Sequence, residues 1–308
     1  MKLHPVIEQY ISLKKSLGFR FDSSRRVLMA FSLAMGDVGL GDIKPPAVRT
    51  FLDGHGPVTT FWPLKWRILR GFYRFAQARG FAHRCPLPTQ APKVTTSFTP
   101  YIYTQQDLRN LLRAINPKRA AGLSSATLRA LLLLLYGAGF RISEALQLEE
   151  TDVDLKNCLI HVRCSKFFKA RLVPIGPSLT RELEDYEGKR PPSNGSNGRF
   201  FRTKRGAPIS CCAADRIFRT LRLAAGVKRT DGCSYQPRLH DLRHAAAVHR
   251  LVSWYREGVD VSSLLVSLSV YLGHLDLSAT QKYLTMTPEL REKASKRFAN
   301  YALGGSDE

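Results

Sequence analysis

The sequence predicts a mainly α-helical protein with a small β-sheet, built as two domains. Apolar residues recur at helical spacing through most of the 308 residues. Four prolines between Arg84 and Pro100 cannot continue a helix, which predicts an extended linker. Only two neighbouring segments, 158–162 and 171–175, alternate like paired strands. We therefore expect a helical domain at 1–84, a linker at 85–100 and a larger domain at 101–308.

The first domain is predicted to contain four helices. Helical spacing covers 6–17 and stops at Gly18, resumes at 23–35, and begins again after Pro45 and Pro46. The fourth helix, 61–79, has the clearest pattern, because its apolar residues form a single stripe. These are Trp62, Trp66, Leu69, Tyr73 and Ala76. Three arginines, Arg67, Arg70 and Arg74, lie on the neighbouring face.

The second domain is predicted to begin with a helix capped at Thr104, since Asp107 three residues later completes a capping box. Residues 127–136 are apolar nearly all round, as in a buried helix, and helical spacing restarts at Ile142. The two alternating segments form a hairpin. After a surface loop at 191–198 we expect a short strand at 199–201, a helix at 211–225 and further helices.

The charge balance narrows the class of partner. Lys and Arg number 47 against 25 Asp and Glu, giving a net charge of +22. A surplus of this size attracts polyanions, so double-stranded DNA is the expected partner and the three arginines of the fourth helix are candidate phosphate contacts. The alternative for those arginines is a solvated charged face.

Targeting and redox features predict a cytoplasmic protein with no membrane partner. The N-terminal residues lack the apolar core of a signal peptide, and the apolar run 130–140 is too short to span a bilayer. The six cysteines contain no C-x-x-C pair, so we expect free, buried thiols and no bound metal or cofactor.

The most informative residues lie in the last quarter of the chain. His240, Arg243 and His244 are followed by the segment Leu272–His274 and then by Tyr283. Phosphodiester transfer without a metal needs cations on the phosphate oxygens, an acid for the leaving oxygen and a nucleophile. Arginine suits the first role because its planar fork pairs with phosphate and stays charged.

Together with Ala138–Glu144 and the hairpin lysine, these motifs resemble those of the tyrosine recombinases, the family of phage integrases and Xer resolvases. The resemblance covers essentially the whole chain. It implies a helical SAM-like core-binding domain followed by a mixed α+β catalytic domain. It also implies a site-specific recombinase that cleaves and rejoins duplex DNA through a 3′-phosphotyrosyl intermediate, in integration, excision or transposition of a mobile element.

The resemblance assigns roles to seven residues. Arg141 and Arg243 would clamp the phosphate, and Glu144 would support the first arginine. Lys166 would protonate the 5′ oxygen, and Tyr283 would be the nucleophile. His240, the first family histidine, would act in proton transfer or phosphate binding, and His274 would be the second.

Several alternatives stay open at this stage. The hairpin tip has Phe167 and Phe168 where the family usually has small turn residues, so Lys169 remains an alternative acid, and a DNA contact, beside Lys166. His240 and His244 have the i, i+4 spacing of a metal pair, although no metalloprotease pattern accompanies them, and His244 is interpreted as structural.

The resemblance also implies an assembly. Two protomers would bind each site and four would form the synapse, the free protein being expected as a monomer, with partner recombinases as a further possibility. A C-terminal helix at about 288–301 would dock on a neighbouring protomer. The competing functions are DNA relaxation by a type IB topoisomerase and a non-catalytic accessory role on DNA.

Overall fold

The computed structural model describes residues 1–19, 21–93, 99–116, 122–163, 170–193, 198–233 and 235–285. The chain forms two compact units, Met1–Phe98 and Thr99–Glu308. Both are mainly helical, and the second contains a three-stranded sheet. The predicted fold class, mainly α with a small sheet, is confirmed. In the described parts of the chain, no helix has both the length and the apolar content needed to cross a bilayer.

The first unit contains the four predicted helices. They are α1 (Leu3–Ser16), α2 (Asp22–Met35), α3 (Pro45–Asp53) and α4 (Phe61–Ala78), with a 3-10 helix at Leu40–Asp42 between α2 and α3. The apolar stripe of α4 faces the core, where Trp62, Leu69 and Tyr73 are buried with Phe31. The helical period of the sequence therefore orients α4 in this unit.

The segment after α4 also packs on the first unit. Trp66 donates its indole N–H to the carbonyl of Pro88 at 2.9 Å. Leu87 and Ala91 lie against the same apolar core. Much of the proline-rich segment predicted as a linker is thus held by the first unit up to about residue 91.

Three helices open the second unit. They are α5 (Gln105–Arg113), α6 (Ser125–Gly137) and α7 (Ile142–Ala145). The capping box at Thr104 and Asp107 is confirmed, because each side chain bonds the other residue's backbone N–H. Helix α6 is buried on most sides, as its apolar sequence predicts. The loop that follows this buried helix leads to Arg141 at the start of α7.

The sheet contains the predicted hairpin and one strand more. Strands β1 (Val153–Asp154), β2 (Leu159–Val162) and β3 (Arg171–Pro174) pair antiparallel in that order, with Val162 opposite Arg171. The hairpin tip, with Lys166 and Lys169, lies outside the described residues. Strand β1, the preceding 3-10 helix (Glu150–Asp152) and the following helix α8 (Pro177–Lys189) were not predicted.

The rest of the second unit is helical. It comprises α9 (Cys211–Ala224), α10 (Asp241–Arg256), α11 (Val261–Leu272), α12 (Ser278–Gln281) and a 3-10 helix (Lys282–Thr285). The strand predicted at 199–201 is wrong. Arg199 makes only an isolated bridge to Glu149, because Phe200 and Phe201 are both buried against Tyr186 and do not alternate.

The cysteine prediction is partly wrong. The five cysteines in the described ranges are free, as expected, but four of them are exposed. Cys158 is half-buried next to β2. Exposure of Cys211 and Cys212 follows from their place in the first turn of α9, which turns its apolar side to the core through Ala214, Ile217 and Phe218. No disulfide therefore contributes to the fold of these segments.

Candidate active site

The site is organised around a corner of the backbone where α11 ends. Gly273 ends the helix in the left-handed conformation, with φ of 70°. A side chain there would be strained, and its Cβ would lie 2.7 Å from the Arg171 guanidinium. The carbonyls of Leu272 and Gly273 accept hydrogen bonds from two different arginines. The corner Leu272–His274 is therefore held from two sides by cations.

Arg141 lies at the N-terminus of α7. Its guanidinium donates to Glu144 at 2.6 Å and to the Gly273 carbonyl at 2.8 Å. Its backbone N–H is capped by the same carboxylate. The side chain is 23% exposed, so part of the guanidinium remains accessible to a ligand. Arg141 is therefore held both by the cap of its own helix and by a hydrogen bond to Gly273, a residue 132 positions away in the chain.

Glu144 joins Arg141 to Arg171, an arginine that the sequence pattern did not single out. Arg171 begins β3 and makes two hydrogen bonds to the Glu144 carboxylate, at 3.2 and 2.9 Å. Its Nε–H donates to the Tyr271 carbonyl. Burial raises the pKa of Glu144, but the Arg171 hydrogen bonds and the charges of both arginines outweigh it and lower the pKa to about 2. Glu144 is therefore ionised and holds two guanidinium groups near the corner.

Arg243 is the most deeply buried cation of the group. It lies in the first turn of α10, is 2% exposed, and donates to the carbonyls of Gly139 and Leu272 at 2.6 Å each. Burial, and then the Arg141 charge, lowers the pKa of Arg243 to about 10. Arg243 therefore stays charged at neutral pH. It connects the loop after α6 to the end of α11.

Two histidines, His240 and His244, lie near Arg243 at the start of α10. His240 immediately precedes the helix and is exposed, and its ring meets that of His244 edge to face with centroids 4.9 Å apart. Partial burial of the ring, and then the charges of Arg243 and Arg238, lower the pKa of His240. Burial and the neighbouring His240 lower the pKa of His244 to about 4. His244 is therefore neutral at physiological pH.

Tyr283 lies against the histidines and is 2% exposed. Its hydroxyl is 3.2 Å from Nδ1 of His244, a residue that the sequence suggested to be structural. Its ring centroid is 6.0 Å from that of His274. Burial raises the pKa of Tyr283, whereas the positive charges of Arg243 and Arg141 oppose that rise. Tyr283 is therefore protonated at neutral pH. The charges of Arg243 and Arg141 stabilise its phenolate form relative to a phenol buried without them.

His274 follows the corner directly. Its backbone N–H donates to Ser269 and its Nδ1 lies 2.7 Å from the hydroxyl of Thr280. Burial, and then the charges of Arg243 and Arg141, lower the pKa of His274 to about 4. Thr280 is fully buried and was not recognised from the sequence. The spacing of six residues between the two gave no periodic signal.

The structure thus brings together six residues to which the resemblance assigns roles, namely Arg141, Glu144, His240, Arg243, His274 and Tyr283. Beside them lie His244, which the sequence suggested to be structural, and Arg171 and Thr280, which it did not single out. Lys166 and Lys169 lie outside the described residues, although β2 and β3, which flank them, are placed. Within the described ranges, no group of three His, Cys, Asp or Glu side chains is arranged to hold a metal ion.

The other predicted arginines lie on the first unit. Arg67, Arg70 and Arg74 are all exposed on α4. The Arg70 guanidinium stacks over the Trp66 ring, 4.9 Å from its centroid. The α4 surface is therefore positively charged and partly ordered by an aromatic ring.

The assembled groups are suited to binding a tetrahedral anion beside a phenol. Two fixed arginines and a neutral histidine present donors suited to the oxygens of a tetrahedral anion, and a phenol lies within contact of the same groups. A neutral imidazole touches the phenol oxygen and is able to accept its proton. This arrangement suits nucleophilic attack on a phosphodiester.

Comparison with known proteins identifies the family of the chain. The model of the phage integrase family matches residues 102–289. A putative integrase/recombinase of Sinorhizobium fredii, y4rB, is 30% identical over 301 residues, covering 95% of both chains. The tyrosine recombinase XerA of Thermococcus kodakarensis is 34% identical over 231 residues, covering 75% of this chain and 72% of its own.

Two solved structures share the fold. A lambda integrase dimer bound to a core site has a TM-score of 0.66 at 19% identity, covering 94% of this chain and 97% of its own. The Tn1549 transposon integrase in complex with transposon right-end DNA has a TM-score of 0.70 at 16% identity, covering 97% and 100%.

Proposed function

The chain belongs to the phage integrase family and is a tyrosine recombinase, and from that premise we propose that it cuts and rejoins duplex DNA through a 3′-phosphotyrosyl intermediate on Tyr283. The observation that carries the proposal is the contact of Tyr283 with His244 and the charges of Arg243 and Arg141. A buried phenol among cations and imidazoles is a candidate functional group, since such groups cluster at functional sites. The mobile-element role is supported by the likeness to integrases of a phage and a transposon.

The proposed first step is a transesterification. The Tyr283 oxygen attacks the phosphorus, the bond to the 5′ oxygen breaks, and the 5′ hydroxyl leaves with a proton from the hairpin lysine, which we assign to Lys166. The phenol proton passes to Nδ1 of His244, which lies 3.2 Å from the Tyr283 oxygen. Because His244 is a weak base, the transfer depends on Arg243 and Arg141 stabilising the developing charges.

The remaining groups are proposed to hold the phosphate. Arg141 and Arg243 bind its non-bridging oxygens, and His240 and His274 complete the set of donors. Three of these side chains are fixed before substrate arrives, Arg141 and Arg243 by backbone carbonyls and His274 by Thr280. Groups already in place do not have to reorganise as charge develops. The reverse attack by a 5′ hydroxyl then rejoins the strand with no energy source, because the phosphodiester bond is conserved.

The proposal includes a tetrameric synapse of two protomers per site on DNA. The segment 288–301, expected to dock on a neighbouring protomer, lies outside the described residues. A groove of about 1080 Å³ in the second unit, lined by α6, α10 and α11, offers a surface for it. Ser267 lines this groove and Val266 of the same helix does not. Ser267→Arg should therefore reduce tetramers on synapsed DNA, measured by mass photometry, and Val266→Arg should not.

Recombination itself tests the function. Two DNA fragments bearing the ends of the native element should exchange strands with wild-type protein and fail to do so with Tyr283→Phe. A type IB topoisomerase would instead relax a supercoiled plasmid that lacks those ends. An accessory role would be indicated if Tyr283→Phe kept full biological activity in cells.

A further inference from the structure

Thr280 contacts His274 from inside the core, next to the proposed nucleophile. It lies in α12, three residues before Tyr283, and none of its surface is exposed. Its hydroxyl is 2.7 Å from Nδ1 of His274. In the described part of the chain, this imidazole is the hydroxyl's one hydrogen-bond partner. A buried polar group with a single partner places a strict demand on which atom carries the proton.

That demand selects one form of the His274 ring. If Nδ1 carried the proton, it would donate to Thr280, and the threonine hydroxyl would be a buried donor with no acceptor among the described residues. Leaving such a donor unsatisfied is costly. If the hydroxyl donates to a bare Nδ1, both groups are satisfied and the ring proton lies on Nε2. Hydrogen bonding of one ring nitrogen commonly fixes the other in this way.

We propose that Thr280 is a positioning residue that holds His274 in the tautomer with its proton on Nε2, so that the ring donates to a phosphate oxygen. The inference rests on the proposed function for its catalytic consequence. The backbone supports it, because the His274 N–H is bound to Ser269 and the loop to α12 is closed by Asp276, which accepts from the Ala279 N–H at 3.0 Å. His274 is thus fixed by its backbone N–H and by Nδ1 of its ring.

The charges around His274 are consistent with a neutral ring. Burial and the positive charges of Arg243 and Arg141 lower the pKa of His274 to about 4, while Asp276 opposes them. A neutral imidazole has only one N–H. The tautomer therefore decides whether that N–H points at Thr280 or is left for the substrate.

Nuclear magnetic resonance of the free protein, labelled with ¹⁵N-histidine, tests the tautomer directly. The long-range couplings of His274 should identify Nδ1 as the bare nitrogen and Nε2 as the protonated one. Thr280→Val, which keeps the shape and removes the hydroxyl, should abolish that preference, and Thr280→Ser should retain it. A proton on Nδ1 in the wild-type protein would overturn the proposal.

The rate of covalent trapping on a nicked duplex tests the consequence. Thr280→Val should slow trapping about tenfold, and Thr280→Ser should restore most of the rate. In a His274→Ala background, Thr280→Val should add no further loss, because the partner is gone. An equal loss in both backgrounds would show a merely structural role and contradict the proposal.

The two assays separate the possible failures. If wild-type protein forms no Tyr283-dependent adduct, the proposed function fails, whereas the resonance data still report the tautomer. If the adduct forms and His274→Ala slows it but Thr280→Val does not, only the role of Thr280 is overturned. Melting temperatures of the variants identify any that fail to fold.

Discussion

At the scale of single residues, the proposed site depends on guanidinium groups that are fixed by hydrogen bonds to the protein and that we propose also bind the DNA phosphate. The hydrogen bonds of Arg141 to Glu144 and Gly273 account for two of its five N–H groups. Those bonds fix the plane of the fork, so the accessible part is already oriented. Arginine is the only side chain that combines these bonds with a permanent charge.

Replacing Arg141 should therefore separate catalysis from binding. Arg141→Ala is expected to slow cleavage at least about 100-fold, because a fixed cation that stabilises the transition-state charge is removed. DNA affinity should change little, since many other phosphate contacts remain. Fluorescence anisotropy and cleavage rates measure the two effects, with the exposed Arg109→Ala as control for removal of one charge. Equal losses of binding and cleavage would contradict the catalytic role.

Glu144 makes a prediction about pH and stability. Its pKa is lowered from 4.5 to about 2 by the two arginines, so the carboxylate stabilises the fold above pH 4.5 and this contribution disappears as the pH falls toward 2. Glu144→Gln should lower the free energy of unfolding at pH 7 by about 3 kcal/mol. Urea unfolding at pH 7 and pH 3 should show the gap between wild type and variant shrinking at the lower pH.

A matched control is available on α8. Glu184 is exposed, and Glu184→Gln should leave stability nearly unchanged at both pH values. A gap for Glu144→Gln that is as large at pH 3 as at pH 7 would mean that its effect comes from packing and not from the ion pairs with Arg141 and Arg171.

At the scale of elements, we propose that a lysine between β2 and β3 protonates the leaving oxygen. The strands are in register up to Val162 and Arg171, and Lys166 and Lys169 lie between them in the chain. Lys166→Ala should be inactive on ordinary DNA and regain cleavage on a substrate whose 5′ leaving oxygen is sulfur, which needs no acid. Rescue of Lys169→Ala in its place would reverse the assignment. The measurement is the cleavage rate of each variant on the ordinary and on the sulfur-containing substrate.

The elements also show what sequence could predict. Helix α4 and the cap of α5 followed from local patterns, because spacing and capping are local properties. Strand β1 was missed since two residues give no alternation, and 199–201 was mistaken for a strand because burial of Phe200 and Phe201 together is a tertiary effect.

The site followed the same rule. Short motifs in the sequence were enough to predict that four residues share one site. These are Arg141, Arg243, His274 and Tyr283. The hydrogen bonds of Arg171 to Glu144 and Tyr271 join residues 27 and 100 positions apart. Such pairs have no local signature, so only the folded chain reveals them. The catalytic roles themselves stay predictions.

At the scale of the whole molecule, a net charge of +22 predicts affinity for duplex DNA of any sequence. We propose that Arg67, Arg70 and Arg74 of the first unit supply part of it. Replacing all three by Ala should weaken binding to any DNA and flatten the plot of log affinity against log salt by about 3, because each arginine that neutralises a phosphate releases about one counterion. An unchanged slope, measured by anisotropy between low and high salt, would mean that α4 presents a solvated face.

The proposed function requires that Tyr283 becomes covalently joined to DNA. Nicked suicide duplexes carrying the native element ends, incubated with the protein and then denatured, should yield a protein–DNA adduct with wild type and none with Tyr283→Phe. Mapping should place the link on a 3′ phosphate at Tyr283. Absence of an adduct on DNA that the protein demonstrably binds, or an adduct that survives Tyr283→Phe, would contradict the proposed function.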